Sequence, residues 1–399
     1  MNLGLEHLQP YPFERLAALR RHLTPNPALS PINLSIGEPQ HATPAFILEV
    51  LRDRLSLLSK YPATQGTEEL RAAIASWLAR RFRLPAGAVD PATMVLPANG
   101  TREALFAIAQ CLIDARDAQA LVAMPNPFYQ IYEGAALLAG AQPYFLPCPA
   151  SRAFMPDFAA VPEAVWARCR LVYVCSPANP SGAVLSRADY RALLALADRH
   201  DFIVVSDECY SELYLDESDP PCGLLEAAWA DGRTRFERCV VMHSLSKRSN
   251  APGLRSGFIA GDPAVLGEFL RYRTYHGAAM PLQVQAASAV AWGDEAHVVD
   301  NRARYRAKFA AVTPLLAAVA KVAAPAGGFY LWPEVDEDEC ALCARLIAEA
   351  NVTTLPGSFL ARDAGHGNPG ARRLRIALVA EHDECVTAVR RIVEVMRSR

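Results

Sequence analysis

Seven apolar runs of strand length recur between residues 93 and 261: TMVLPANG, ALVAMPNP, AQPYFLP, RLVYVCSP, FIVVSDE, CVVMHS and SGFIAG. Such runs suit strands buried on both faces. Their alternation with helical segments predicts an α/β fold, a mainly parallel seven-stranded sheet sandwiched by helices. Between the runs, TREALFAIAQCLIDA and SRADYRALLALADRH carry apolar residues at i, i+3 and i+4, and Ser186 opens the second as an N-cap.

The texture changes after about residue 285, where a long amphipathic region is followed by strand-like GFYLWPEV, a helix, strand-like RLRIALV and a closing helix. This predicts a smaller α+β domain over 286–399 beside a large domain over 46–285. Residues 1–45 form an arm that belongs to the small domain. The Pro-rich stretches LQPYPFE and TPNPALSPI are expected to form neither a regular helix nor a central strand. The chain carries 40 Lys+Arg against 42 Asp+Glu, and this near-neutral balance without a basic run argues against nucleic acid as a partner. No run of about 18 apolar residues occurs, and the charged start lacks a signal peptide's apolar stretch, so no membrane is expected and the expected location is cytoplasmic. The ten cysteines are expected as reduced core thiols. Cys340 and Cys343 form one Cys-x-x-Cys without the second pair or histidines of a zinc set, so no metal is expected.

In an open α/β sheet, ligands bind beyond the carboxyl ends of the strands. Those ends carry Asn99-Gly100-Thr101, Tyr129, Asn179, Asp207 with Tyr210, and Ser244-Leu245-Ser246-Lys247. A pyridoxal 5′-phosphate site needs a lysine to condense with its aldehyde, a carboxylate at the pyridine nitrogen, donors to the phenolic oxygen, a stacking ring and a phosphate cup. Lys247, Asp207, Asn179 with Tyr210, and Tyr129 fill the first four roles. The N-terminus of the helix after Asn99, Gly100 and Thr101 supplies the cup with Ser244, Ser246 and Arg255. Each residue also has a plainer role: Asp207 as a helix cap, Tyr210 as core, Asn179 as a turn former, Lys247 as a solvated lysine. Their joint occurrence at successive strand ends is what turns the reading toward chemistry. Of the four lysines, Lys60, Lys308 and Lys321 are expected at the surface.

The stretch SLSKRSNAPGLRSG, from Ser244 to Gly257, resembles the lysine signature of class I/II aminotransferases of PLP fold type I, with Ser256 where an apolar residue is usual. NPSG at 179–182, DECY at 207–210 and RLRIA around Arg375 match as well. The resemblance implies that Lys247 is the catalytic lysine, assisted by Asp207 and Tyr210. It further implies that Arg375 binds the substrate α-carboxylate, with Gly37 and Asn179 alongside. Tyr61 would reach the phosphate of a neighbouring subunit, which implies a homodimer. More narrowly, LQPYPFERL, LSIGEPQHATPAFI, NPFYQIYEGAALLAGAQPYF and YRTYHGAAM resemble the N-succinyldiaminopimelate aminotransferase subfamily of lysine and diaminopimelate biosynthesis. That implies transfer between L-glutamate and N-succinyl-2-amino-6-oxoheptanedioate, with Arg21, Arg273 or His276 as the cation for the distal carboxylate. The alternatives are a class I aminotransferase for alanine, aspartate or an aromatic acid, and a PLP lyase on the same scaffold. GHGNPG at 365–370 spells a dinucleotide fingerprint, but it leads into a strand rather than a helix, which argues against nicotinamide.

Overall fold

The computed structural model covers residues 3–365 and 367–398. The seven apolar runs form β1 (Val95–Ala98), β2 (Leu121–Asn126), β3 (Gln142–Pro147), β4 (Cys169–Cys175), β5 (Ile203–Asp207), β6 (Cys239–Ser244) and β7 (Gly257–Gly261). They pair in one seven-stranded sheet in the order β1-β7-β6-β5-β4-β2-β3. Only β7 runs against the others, pairing antiparallel with both β1 and β6. Parallel neighbours need crossovers, and the helices that supply them cover both faces. The two faces are visible within β4, where Val172 and Val174 join the core with Trp77, Leu193 and Trp292, while Leu171 and Tyr173 join the one with Ile108, Tyr132 and Phe269. Every residue of β2 is buried, as a strand covered on both sides requires.

A further core gathers Phe309, Leu346, Ile376 and Val389 from the helices Ala296–Ala317, Glu339–Ala350 and His382–Arg397 and the strand Leu374–Ala377. Ile32–Asn33 pairs parallel with Val352–Thr353, so the N-terminal segment is built into this C-terminal core. The helix Arg187–His200 begins as its sequence predicts, with Ser186 Oγ accepting from Asp189 N–H and the Asp189 carboxylate reaching back in a capping box.

The Pro-rich opening departs from expectation. Pro12 starts a helix, Pro12–Arg20, at a position where the missing N–H would have had no intrahelical partner anyway. GFYLWPEV contributes only Tyr330–Leu331 as strand. Lys308 is not at the surface: it is 1% exposed and bonded to His41 and the Leu378 carbonyl. Among the described residues no helix is long and apolar enough to cross a membrane, and no group of His, Cys, Asp and Glu could hold a metal ion.

Candidate functional site

The carboxyl ends of β1, β2, β4, β5 and β6 open into one cleft of about 540 Å³, lined also by residues of the N-terminal segment and of the C-terminal core. The last residue of β5, Asp207, is 4% exposed. Tyr132 Oη donates to its Oδ2 at 2.7 Å and the Cys209 N–H to its Oδ1 at 3.3 Å. Burial pushes the Asp207 pKa up, against the pull of these hydrogen bonds. Among the described residues no cation pairs with it. Tyr132 itself is fully buried and stacked on Tyr173 at 4.7 Å. It lies six residues past the end of β2, in the first turn of the helix Gln130–Leu138 and beyond the strand-end residues that a sequence reading inspects.

Beyond β6 the chain turns into the short helix Leu245–Arg248, capped by Ser244 Oγ, which accepts from Ser246 N–H at 3.1 Å. This turn aims Lys247 into the cleft, where its Nζ donates to the Gly37 carbonyl and lies 5.4 Å from the Phe329 ring. Burial lowers its pKa to about 8, and the cationic Arg375 adds to the shift.

Arg255 precedes the antiparallel β7 and therefore sits at the same sheet edge, held by a 2.8 Å bond from Nη1 to the Pro252 carbonyl. Its guanidinium packs on Gly100, where an added Cβ would come within 2.2 Å of Nη2 and where φ is +81°. Only glycine satisfies both conditions. Thr101, Ser244 and Ser246 line the cleft beside Arg255, at the N-terminus of the helix Thr101–Leu112.

On the opposite wall, Arg375 is 4% exposed. Its Nη1 donates to Asn179 Oδ1 at 3.0 Å and its Nη2 to the Ser35 carbonyl at 2.7 Å, while its buried Nε has no partner. The guanidinium stacks 4.6 Å from the Tyr330 ring, and Tyr330 Oη bonds Tyr210 Oη at 3.0 Å. Gly37 makes room for this pair, since a Cβ there would lie 1.9 Å from Tyr330 Oη. Gly37→Ala is expected to displace that hydroxyl and cost about 1–3 kcal/mol of stability, read by thermal or denaturant unfolding.

Tyr129 lines the cleft, its Oη accepting from Arg102 Nε at 2.6 Å. Asn99 does not line the cleft, and its amide donates to Ala279 O at 3.4 Å. Tyr61 lies outside the cleft and is fully exposed. None of Arg21, Arg273 and His276 lines it. Arg273 is a buried structural residue, holding the Ala278 carbonyl at 2.9 Å and Glu103 at 3.2 Å. The cleft cation missed in the sequence is Arg102. Ser256 is accommodated by a 2.7 Å bond to Ser288 Oγ. In the 365–370 loop, the Gly365 and Gly367 N–H groups donate to Asp363 at 2.8 and 3.0 Å, so the loop's own carboxylate occupies them; His366 lies outside the described residues.

The description "Aminotransferase class I and II" belongs to the family whose model matches residues 30–392. The chain belongs to this family. An aminotransferase from Neisseria meningitidis Z2491 is 47% identical, with a TM-score of 0.95 and all of both chains covered. The chain is 33% identical to the 4-dedimethylamino-4-oxo-anhydrotetracycline transaminase OxyQ of Streptomyces rimosus, covering 97% of this chain and 100% of that protein. It is 29% identical to an LL-diaminopimelate aminotransferase of Nitratidesulfovibrio vulgaris, covering 98% and 97%. Aminotransferases of this class use pyridoxal 5′-phosphate. The cleft of this aminotransferase fits that cofactor: a buried carboxylate with no cationic partner among the described residues, a half-buried lysine, a glycine-backed arginine beside hydroxyls, and a buried arginine nitrogen without a hydrogen-bond partner among them.

Proposed function

We propose that Lys247 is the lysine that joins the cofactor, and that the protein moves an amino group between L-glutamate and N-succinyl-2-amino-6-oxoheptanedioate, on the lysine and diaminopimelate route. The observation that carries the catalytic assignment is Asp207, a buried carboxylate with no cationic partner among the described residues, in the same cleft as Lys247. A protonated pyridine nitrogen is the cation its burial demands. When bound, pyridoxal phosphate supplies an aldehyde for the amino group and a ring that takes up the electron pair left at the substrate α-carbon.

The chain's residues do the rest. Lys247 Nζ would serve as the general base that takes the substrate α-proton and as the general acid that returns it to the carbon on the far side of the amino nitrogen. Asn179 and Tyr210 hydrogen-bond the phenolic oxygen, and Tyr129 packs on the ring. Thr101, Ser244, Ser246 and Arg255 hold the phosphate, with Asn99 and Gly100 shaping the helix start. Arg375 pairs with the α-carboxylate, offering the Nε that lacks a partner. Arg375→Lys retains the charge and loses the planar fork, so KM for the amino acid is expected to rise about 10- to 100-fold with kcat falling less. Only a neutral amine condenses with an aldehyde. Uptake of pyridoxal phosphate by the apoprotein should therefore accelerate as pH rises through about 8. An inflection near the ordinary lysine value instead would contradict the buried setting of Lys247.

For the long substrate arm, Arg102 stands in the cleft wall with Tyr129 as its bonded neighbour, a cation available to a distal carboxylate. Glu38, also in the wall, favours a second reading in which the distal end carries an ammonium group, as in LL-diaminopimelate. Glutamate assayed against a panel of oxo-acids separates them; equal or better use of the unacylated substrate or of a short oxo-acid would overturn the succinylated assignment.

The proposed assembly is a homodimer of two-domain subunits, with a large domain over 46–285 and a small one formed by 286–399 and the arm. Leu48, Leu55, Leu58 and Val290 are exposed on the adjoining segments Ala45–Asp53, Leu55–Ser59 and Leu282–Gly293, and Tyr61, also exposed, follows two residues after the second of these. An apolar stripe of this kind suits a second copy, whose phosphate cup Tyr61 would reach. Tyr61→Phe is expected to weaken cofactor affinity severalfold without lowering the mass seen by analytical ultracentrifugation.

A further inference from the structure

Behind Lys247 lies a buried polar chain that the catalytic assignment does not use. The Lys308 ammonium donates to His41 Nε2 at 2.7 Å and to the Leu378 carbonyl at 3.2 Å. His41 Nε2 thereby accepts, so its Nδ1 carries the proton and donates to Asn301 Oδ1 at 3.0 Å. Asn250 Nδ2 donates to the same Oδ1 at 3.0 Å. With its oxygen doubly engaged, the Asn301 amide has one orientation, and its Nδ2 donates to the main-chain carbonyl of Lys247 at 3.3 Å. Lys308, Asn301, His41 and Asn250 are 1%, 2%, 4% and 7% exposed. Thr43 Oγ1 adds a 2.6 Å bond to the Asn250 carbonyl.

Burying an ammonium, an imidazole and two amides costs free energy that apolar side chains of similar volume would not incur. No carboxylate ion-pairs with Lys308 among the described residues, and Tyr305, tilted at 45° against His41 with centroids 4.9 Å apart, offers its ring to His41 and to the Lys308 ammonium while its hydroxyl makes no hydrogen bond. Three parts of the molecule meet in the chain: Lys308 and Asn301 on the helix Ala296–Ala317, His41 on the N-terminal segment, and the short helix Leu245–Arg248 that carries Lys247, with Asn250 just after it. Each hydrogen bond fixes the next, and the last acts on the peptide of the catalytic lysine.

We propose that Asn301 is a positioning residue for Lys247, held in its one useful orientation by His41 and Lys308, so that the small-domain helix fixes the lysine's backbone. The proposal rests on Lys247 being the cofactor-linked lysine. That is checked separately, because the wild-type holoenzyme must show a visible band that Lys247→Ala abolishes; its absence would fail that assignment, not this one.

The test is made on holoenzyme by titrating this band with pH and by steady-state kinetics. Asn301→Ala should move the titration midpoint by about 0.5 unit or more and lower kcat about tenfold, with KM for the amino acid changing less than about twofold. Asn301→Ser keeps an acceptor for His41 or Asn250, is too short to reach the Lys247 carbonyl, and should behave alike, which keeps the test open if the alanine variant does not fold. Tyr305→Phe removes a hydroxyl from the same pocket without touching the chain and should leave midpoint and kcat unchanged. An unmoved midpoint and kcat in the Asn301 variants, or an equal shift in Tyr305→Phe, would overturn the proposal.

Discussion

Lys247→Ala is expected to abolish the visible absorption that the protein shows with pyridoxal phosphate and to lower transaminase turnover at least about 10⁴-fold. Two functions are lost with one side chain: the amine that joins the cofactor and the base that moves the α-proton. The loss should not be a folding defect. Nζ is buried with its pKa lowered to about 8, so the folded protein carries a penalty for the charged amine that alanine removes. The sign follows from linkage. A lysine with a folded pKa below its unfolded one is least favourable at pH below about 8, and the penalty lifts as pH rises toward the unfolded value. The variant should therefore melt no lower than wild-type apoprotein at neutral pH. External methylamine offers a further check, since it can replace the missing base and restore part of the turnover.

The second large effect is expected at Asp207. Asp207→Asn keeps the shape and can still bond Tyr132 and the Cys209 N–H, but it cannot hold a proton on the ring nitrogen through charge. Turnover should fall about 10³-fold while the protein still takes up the cofactor. Burial raises the Asp207 pKa, so the carboxylate is disfavoured in the apoprotein at neutral pH, and replacing it with a neutral amide should leave the melting temperature equal or higher. The same substitution in the holoenzyme should lower it, because the cation that offsets the buried charge is the cofactor itself. Tyr132→Phe gives the smaller version of this result. It removes the 2.7 Å bond to Oδ2, loosens the carboxylate and should cost about tenfold in turnover.

The contrast between Asp207 and Tyr132 shows where the sequence was legible. A strand covered on both faces must be apolar along its length, so the first polar residues after it mark the sheet edge, and Asp207, Asn179, Thr101 and Lys247 are all visible in that way. Arg255 also precedes a strand, and its place in the cleft depends on β7 running against its neighbours, which an apolar run does not reveal. Tyr132 sits in the first turn of the helix Gln130–Leu138, where it joins Ala135 and Ala136 in one apolar cluster, and nothing local distinguishes it from core.

The remaining differences have a common cause. Lys308 was read by the usual exposure of its residue type and Arg273 as a candidate for the distal carboxylate, yet each bonds a backbone carbonyl from a distant part of the chain, Leu378 and Pro97 respectively. Such partners depend on tertiary structure and leave no local pattern. Pro12 differs in the opposite sense, because a proline that excludes the interior of a helix also suits its first turn. The long-range pairing of Ile32–Asn33 with Val352–Thr353 brings Ser35 and Gly37 to Arg375 and Lys247, and only the fold could show that meeting.

The most direct measurement is a single half-reaction. Holoenzyme mixed with L-glutamate and no oxo-acid should release one equivalent of 2-oxoglutarate per site and lose its Lys247-dependent visible band in the same step, while the Lys247→Ala protein does neither. Release of 2-oxoglutarate by the Lys247→Ala protein at the wild-type rate, or a wild-type protein that yields none, would contradict the assignment of this cleft.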